Sequence, residues 1–370
     1  MSSSASEETA TTRVADDELV AGALAAKAVK TTEPLARVAR RSPLAALLGV
    51  QILGAGAYLP EQIVSNEDLV HLGCDADWII QRTGIRARRH AAPEQATSDL
   101  AYEAAVRCLD NAEVAARDVD LILVATVTPD TWMPSSACTV QRRLGAVAPA
   151  MDINAACSGF LYALVTGMQF IKTGCSRRVL VIGSDVMSRI INPADRQTYP
   201  LFGDGAGAVL LGAGRDDRGL VAYTLGSEGD GGVLLSVPGG GSREPLTADG
   251  LSAGRQYMRM DGRGVFKWAV RTVVEVARDV VKHAELEMDE IDLVVMHQAN
   301  QRIIDAAADG LGLSRDRVLV NLDRYGNTTG ASVPIALSEA VATGRLWRGA
   351  HVLLLGFGAG LTWGAGVMRY

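Results

Sequence analysis

The sequence is short of several features that would settle its class at once. Its five cysteines are odd in number and irregularly spaced, which excludes a disulfide framework or a cysteine-built metal cluster and suits a reduced cytoplasm. Only five histidines are present, so each can be weighed singly. There is no long basic run, and a formal charge of −6 gives a nucleic-acid partner no footing. A membrane span is missing too. The segment RVARRSPLAALLGVQILGAGAYLP (37–60) sets basic residues before an apolar stretch, as an anchor would. However, Asp16, Asp17 and Glu18 precede it, the apolar run is short, and Gln51 and several glycines interrupt it. It reads as a plain N-terminal strand. Residues 1–47 read as a mobile extension carrying at most one short helix around 14–30.

What the chain has is apolar mass: 48% hydrophobic residues and 39 glycines over 370 positions, enough for a large, tightly packed α/β core. It also repeats itself. NAEVAARDVDLILV (111–124) lies over HAELEMDEIDLVVM (283–296) at a shift of 172 residues. RVLVIGS (178–184) lies over HVLLLGF (351–357) at 173, and VQILGAG (50–56) resembles LVAYTLG (220–226) at 170. These matches predict two fused α/β halves, 48–216 and 217–370. The runs Leu121–Val124 and Leu293–Met296 lack polar alternation, which predicts strands covered on both faces by helices.

The repeat also points to a site. In MDINAACSGFLYAL (151–164) small residues surround Cys157 between a short strand and an apolar helix. A thiol at a helix start is favoured as thiolate by the helix dipole, although a buried structural cysteine fits the local pattern as well. The repeat sets Cys157 over Gly330, inside RYGNTTGASVPIAL (324–337), so the two helix-start loops are predicted pseudo-symmetric neighbours. The strand Leu293–Met296 ends in HQAN (297–300), at the carboxyl end where α/β proteins bind ligands. Cys157, His297 and Asn327 are therefore predicted to converge. GDGAGA (203–208) is read as close backbone packing, since no strand–GxGxxG–helix arrangement with a later acidic partner accompanies it. PGGGS (238–242) is read as a flexible loop, and His71, His90, His283 and His351 as structural.

At this point the chain resembles the thiolase-fold condensing enzymes, specifically β-ketoacyl-acyl-carrier-protein synthase III. The resemblance rests on DWIIQRTGIRARRH (77–90), NAACSGF (154–160), LFGDGAGAVLL (201–211), MDGRGVFKWAV (260–270), MHQANQRI (296–303), YGNTTGASVPIAL (325–337) and GFGAGLTWG (356–364). These pieces occur in family order over residues 50–370. The resemblance implies a thiolase-like fold with mixed sheets layered between helices. It also implies decarboxylative condensation of an acyl-CoA primer with malonyl-acyl-carrier protein, which initiates fatty acid synthesis through an acyl-Cys157 intermediate. His297 and Asn327 would donate hydrogen bonds to the malonyl thioester oxygen as CO2 leaves; the backbone N–H groups of Cys157 and Ala359 would form a second oxyanion hole.

Further roles follow from the same resemblance. Trp78 and Arg82 would sandwich the CoA adenine, Arg86, Arg88 and Arg89 would extend that basic edge, and the phosphopantetheine arm would pass Asn300. Lys267 and Arg302 would dock the acidic carrier protein, with Arg263 and Arg271 on the same helix and Asp305 and Asp309 working against them. Met133 would reach across a homodimer interface to close the acyl pocket. No metal or cofactor is implied, acyl-CoA and the carrier protein being substrates, and the implied location is cytoplasmic. Other readings are a polyketide-priming condensing enzyme, a non-decarboxylating acyltransferase of the same fold, and a papain-like cysteine hydrolase. The last lacks its Cys-Gly-Ser/Ala-Cys-aromatic run here.

Overall fold

The computed structural model describes residues 44–370. The extension's first 43 residues, including the helix suggested around 14–30, lie outside the described residues. Two five-stranded mixed sheets organise the rest. The strands are β1 (Ala45–Leu48), β2 (Val50–Tyr58), β3 (Leu121–Ala125), β4 (Ala150–Ile153) and β5 (Arg178–Asp185), followed by β6 (Gly205–Ala213), β7 (Gly219–Ser227), β8 (Leu293–Met296), β9 (His351–Gly358) and β10 (Thr362–Arg369). The first sheet has the order β2-β6-β5-β3-β4 and the second β1-β7-β10-β9-β8. In the first, β3 runs parallel to β4 and β5; in the second, β8 runs parallel to β9. Strands matched by the repeat hold the same places, β3 with β8, β5 with β9 and β2 with β7.

Every residue of β3 and of β8 is buried, which accounts for their unbroken apolar sequence. The helices α1 (Ala76–Thr83), α2 (Thr97–Asn111), α3 (Ser136–Leu144), α4 (Gly159–Lys172), α5 (Gly262–His283), α6 (Gln301–Leu311) and α7 (Ser332–Ala342) supply most of the cover. Helices α4 and α7 lie between the two sheets; α2 and α3 cover the outside of the first and α5 and α6 the outside of the second. A helix enclosed on both sides cannot be strongly amphipathic, and α4 (GFLYALVTGMQFIK) is mostly apolar on every side, its exposed polar residues Gln169 and Lys172 falling near its C-terminal end. Its Gly167 lets the sheet approach, since a Cβ there would lie 3.0 Å from Val179 and Val181.

The anchor-like run of the sequence is taken up by β1 and β2. Sequence boundaries placed residues 45–47 in the extension, but they are paired. Ala45 faces Tyr223 and Leu47 faces Leu220 at the edge of the second sheet, so the earliest strand serves the later half. The edge of β7 has backbone hydrogen bonds to satisfy, and β1 satisfies them. The glycines of 203–208 do let backbones meet: a Cβ on Gly203 would lie 2.2 Å from the Tyr325 carbonyl, and one on Gly207 2.5 Å from Ile335 N. Among the described residues, no helix is long and apolar enough to cross a membrane.

Candidate active site

The loop after β4 turns through one 3-10 turn, Ala156–Ser158, directly into α4. The loop before α7 does the same at Thr329–Ala331, 173 residues later. Both turns begin at a residue with positive φ, +49° at Ala156 and +48° at Thr329. A side chain in that region strains the backbone by about 1–3 kcal/mol, so the surrounding contacts must hold it. The predicted equivalence of the two loops is thus visible in backbone angles. Cys157 follows the first strained residue and is 7% exposed. It packs on Gly358, where a Cβ would come within 2.9 Å of the Cys157 Cβ.

The protonation of that thiol departs from the sequence expectation. Burial pushes it up to about 12 in the free protein, and the Asp185 carboxylate adds to the effect. A helix start contributes at most ~2 kcal/mol in favour of the thiolate. At about 1.4 kcal/mol per pKa unit this is too little to reverse a rise from 9.0 to about 12. Desolvation wins over the dipole, and Cys157 rests as a thiol.

His297 follows β8 and its N–H donates to the Leu355 carbonyl, which fixes the strand end. Its ring stands edge-on to Phe357, with centroids 5.1 Å apart, and its Nδ1 is buried with no hydrogen-bond partner. Burial lowers its pKa to about 3, so the imidazole is neutral. The next residue makes a contrast. Gln298 Nε2 donates to Met296 and Leu319 carbonyls, and its Oε1 accepts from Asn321 and Leu322 N–H groups, so it is committed to holding the loop.

Asn327 is oriented by its neighbours. Its backbone N–H donates to Leu201 and its carbonyl accepts from Gly203. The side-chain Oδ1 accepts from Thr329 N–H at 2.9 Å, so the amide's acceptor end is occupied and its N–H donors are left for something else. Cys157, His297 and Asn327 all line one cavity of about 1090 Å³. Ala359 lines it as well, and its carbonyl accepts from the Thr362 hydroxyl.

Of the remaining residues singled out by sequence, Trp78, Arg82, Arg263, Asn300 and Arg302 line the same cavity at its mouth. Trp78 and Arg82 line it on α1, and the Arg82 guanidinium sits 4.6 Å from the Trp78 ring centroid. A ligand ring entering between them must first lift that guanidinium. Asn300 lines the mouth and caps α6, accepting from Arg302 N–H and donating to the Arg82 carbonyl across to α1. Arg302 and Arg263 line it too, the Arg302 guanidinium lying 5.8 Å from the Phe266 ring. Lys267 is exposed on α5 and is not part of the lining. Asp305 and Asp309 are both paired with Arg315, at 3.4 and 2.7 Å, which mutes them beside Arg302.

Three sequence readings need correcting or extending. Arg88 does not belong to a solvent-facing basic edge: it is completely buried and donates to the Val64 and Pro200 carbonyls and to Asn66 Oδ1. Desolvation lowers its pKa to about 10. The loop 238–242 is tied down, with Gly239 donating to Arg255 and Gly240 to Glu244. Arg196 lines the cavity and was missed, since an arginine in an irregular loop gives no periodic signal. Met133 is 86% exposed and outside the lining of its own chain's cavity. Among the described residues, no group of three His, Cys, Asp or Glu side chains could hold a metal ion.

Comparison with known proteins bears on this geometry. A family model described as 3-oxoacyl-[acyl-carrier-protein] synthase III matches residues 151–229, and the model of its C-terminal part matches 281–370. The β-ketoacyl-[acyl-carrier-protein] synthase III of Rhodopirellula baltica is 58% identical over 342 residues, covering 88% of this chain and 99% of that protein. The protein of that name from Desulfitobacterium hafniense is 46% identical over 326 residues, covering 88% and 98%. The crystal structure of 3-oxoacyl-[acyl-carrier-protein] synthase III from Aquifex aeolicus aligns with a TM-score of 0.81 at 42% identity, covering 87% of this chain and all of that one.

Proposed function

The chain belongs to the 3-oxoacyl-[acyl-carrier-protein] synthase III family of condensing acyltransferases, and we propose that Cys157, His297 and Asn327 carry out its reaction. The observation that supports this division of roles is the held amide of Asn327. With Oδ1 engaged by Thr329 N–H, the group facing the cavity is a donor, and a neutral imidazole is the other donor available beside it.

In the first step Cys157 Sγ attacks the carbonyl carbon of an acyl-CoA. The new S–C bond replaces the bond to CoA sulfur, and CoA leaves as a thiol carrying the proton Cys157 gives up. Because the resting thiol is neutral and His297 is a weak base, that proton moves as the S–C bond forms. The N–H groups of Cys157 and Ala359 stabilise the tetrahedral oxyanion. In the second step malonyl-acyl-carrier protein loses CO2, and the electron pair of the broken C–C bond becomes an enolate. His297 and Asn327 donate to its oxygen, each such donor contributing ~3 kcal/mol. The enolate carbon attacks the acyl-enzyme carbonyl and the C–S bond to Cys157 breaks. The 3-oxoacyl product leaves on the carrier while the Cys157 thiolate takes up a proton from solvent, the one proton the overall reaction consumes.

Arg82, Trp78 and Asn300 serve the CoA nucleotide and its pantetheine arm. Arg302, with Lys267 outside it on α5, serves the carrier protein. The division at 216/217 gives the nucleophile to one half and the two donors to the other. A homodimer formed over the face of Met133 and Trp132, 86% and 83% exposed, completes the acyl pocket, and five free cysteines suit the cytoplasm.

The test is to incubate the protein with malonyl-acyl-carrier protein and a panel of acyl-CoAs and weigh the carrier. A carrier bearing a 3-oxoacyl group, absent with Cys157→Ala, is the expected result. An acylated enzyme beside an unchanged carrier would point to acyl transfer onto another acceptor.

A further inference from the structure

The two halves differ in a reciprocal way at the strained loops. Cys157 on the first loop packs over Gly358 at the end of β9. The positions equivalent by the 173-residue repeat are Gly330 on the second loop and Asp185 at the end of β5. A Cβ on Gly330 would lie 3.2 Å from Asp185 Oδ2. At one contact the side chain comes from the loop and glycine from the strand; at the other the arrangement is reversed.

Asp185 is fully buried, and none of the ion pairs among the described residues includes it. It is held instead by six donors. Its Oδ1 accepts from Thr126 Oγ1 at 2.9 Å, Val127 N–H at 2.8 Å, Thr128 N–H at 3.3 Å and Thr128 Oγ1 at 3.1 Å. Its Oδ2 accepts from Gly330 N–H at 3.0 Å and from the Thr329 hydroxyl. One oxygen thus grips the first half and the other grips the second-half loop. A buried carboxylate with this many partners rigidifies what it touches, and what it touches is Thr329, at a φ of +48°. The backbone N–H of that same Thr329 holds Asn327 Oδ1.

We propose that Asp185 is a positioning residue for decarboxylation, clamping Thr329 and Gly330 so that the Thr329 N–H aims the Asn327 amide at the malonyl thioester. The inference rests on the donor role given to Asn327 above. It assigns the positioning role of Asp185 to the second half-reaction, because its hydrogen bonds reach Thr329 and Gly330 while it acts on Cys157 only through its charge, which adds to burial in holding the thiol protonated.

Asp185→Asn tests it. The new amide must turn its NH2 towards either the Gly330 N–H or the Val127 N–H, donor against donor, so one grip opens. With pre-acylated full-length enzyme, CO2 release from malonyl-acyl-carrier protein is expected to fall ~100-fold in kcat with KM nearly unchanged, the cost of a small misplacement. Acylation of Cys157 by acyl-CoA is expected not to slow, since removing the carboxylate charge only eases loss of the thiol proton. Equal losses in both half-reactions, or no loss of CO2 release, would overturn the proposal. If Asp185→Asn does not fold, Thr329→Val and Thr329→Ser decide. Valine keeps the shape without the hydroxyl and is expected to slow CO2 release ~10-fold, while serine restores it. Equal rates for the two would overturn the proposal. A wild-type enzyme that releases no CO2 would instead overturn the reading of the site itself.

Discussion

Burial governs the reactive residues more than their local sequence does. The same desolvation that lifts Cys157 to about 12 lowers His297 to about 3, so the resting site holds a neutral pair and no thiolate–imidazolium. The thiol's nucleophilicity is then tied to proton transfer during attack. Alkylation of Cys157 by iodoacetamide is accordingly expected to keep accelerating from pH 8 through pH 10. A plateau near the ordinary thiol range of ~8.5 would contradict this. The Trp78–Arg82 stack makes a second residue-scale expectation. Arg82→Ala removes the cation proposed to face CoA, and should raise KM for acyl-CoA ~10-fold while leaving kcat little changed, as loss of uniform binding does. A fall in kcat at constant KM would place Arg82 elsewhere in the reaction.

Among the elements, the glycines of β6 set how closely α7 can lie. A Cβ on Gly207 would meet the backbone of Pro334 and Ile335, both at 2.5 Å, and backbone cannot turn aside as a side chain can. Gly207→Ala should therefore cost at least ~2 kcal/mol in urea unfolding, whereas Gly229→Ala, with nothing within 4 Å of its added Cβ, should be nearly neutral. Similar midpoints for the two would refute the close-packing account. The repeat was legible because β3 and β8, buried on both faces, tolerate only apolar residues and so preserve a recognisable run. The strand-end position of His297 and the loop equivalence of Cys157 and Gly330 followed from it. What escaped notice was decided by pairing across the molecule. The attachment of β1 to β7 is written in no local pattern, and Arg88 among carbonyls has the same one-letter symbol as a solvated arginine. Asp185 looks like any acid at a strand end until its six donors are counted.

For the whole molecule, the buried site makes stability depend on pH. The folded value of His297, about 3, is depressed from 6.5, so as pH falls below ~6.5 the unfolded chain takes up the proton first. Its contribution is fully present above pH 6.5 and is lost progressively towards pH 3. Wild type should then lose more stability between pH 6.5 and 4 than His297→Gln does; parallel curves would contradict it. On the alkaline side Cys157 and Cys108, both raised to about 12, contribute stability that is present below pH 9 and is lost as pH rises towards 12. The roles proposed for Cys157, His297 and Asn327 also divide the chemistry between the two halves that meet at one cavity: the first would supply the nucleophile, and the second the donors for the enolate. The most direct test of that division is to compare both half-reactions in Asn327→Ala. Acylation of Cys157 by acyl-CoA should proceed at near wild-type rate, while CO2 release from malonyl-acyl-carrier protein falls by ~10²- to 10³-fold. CO2 release at the wild-type rate, or loss of acylation alongside it, would contradict the account.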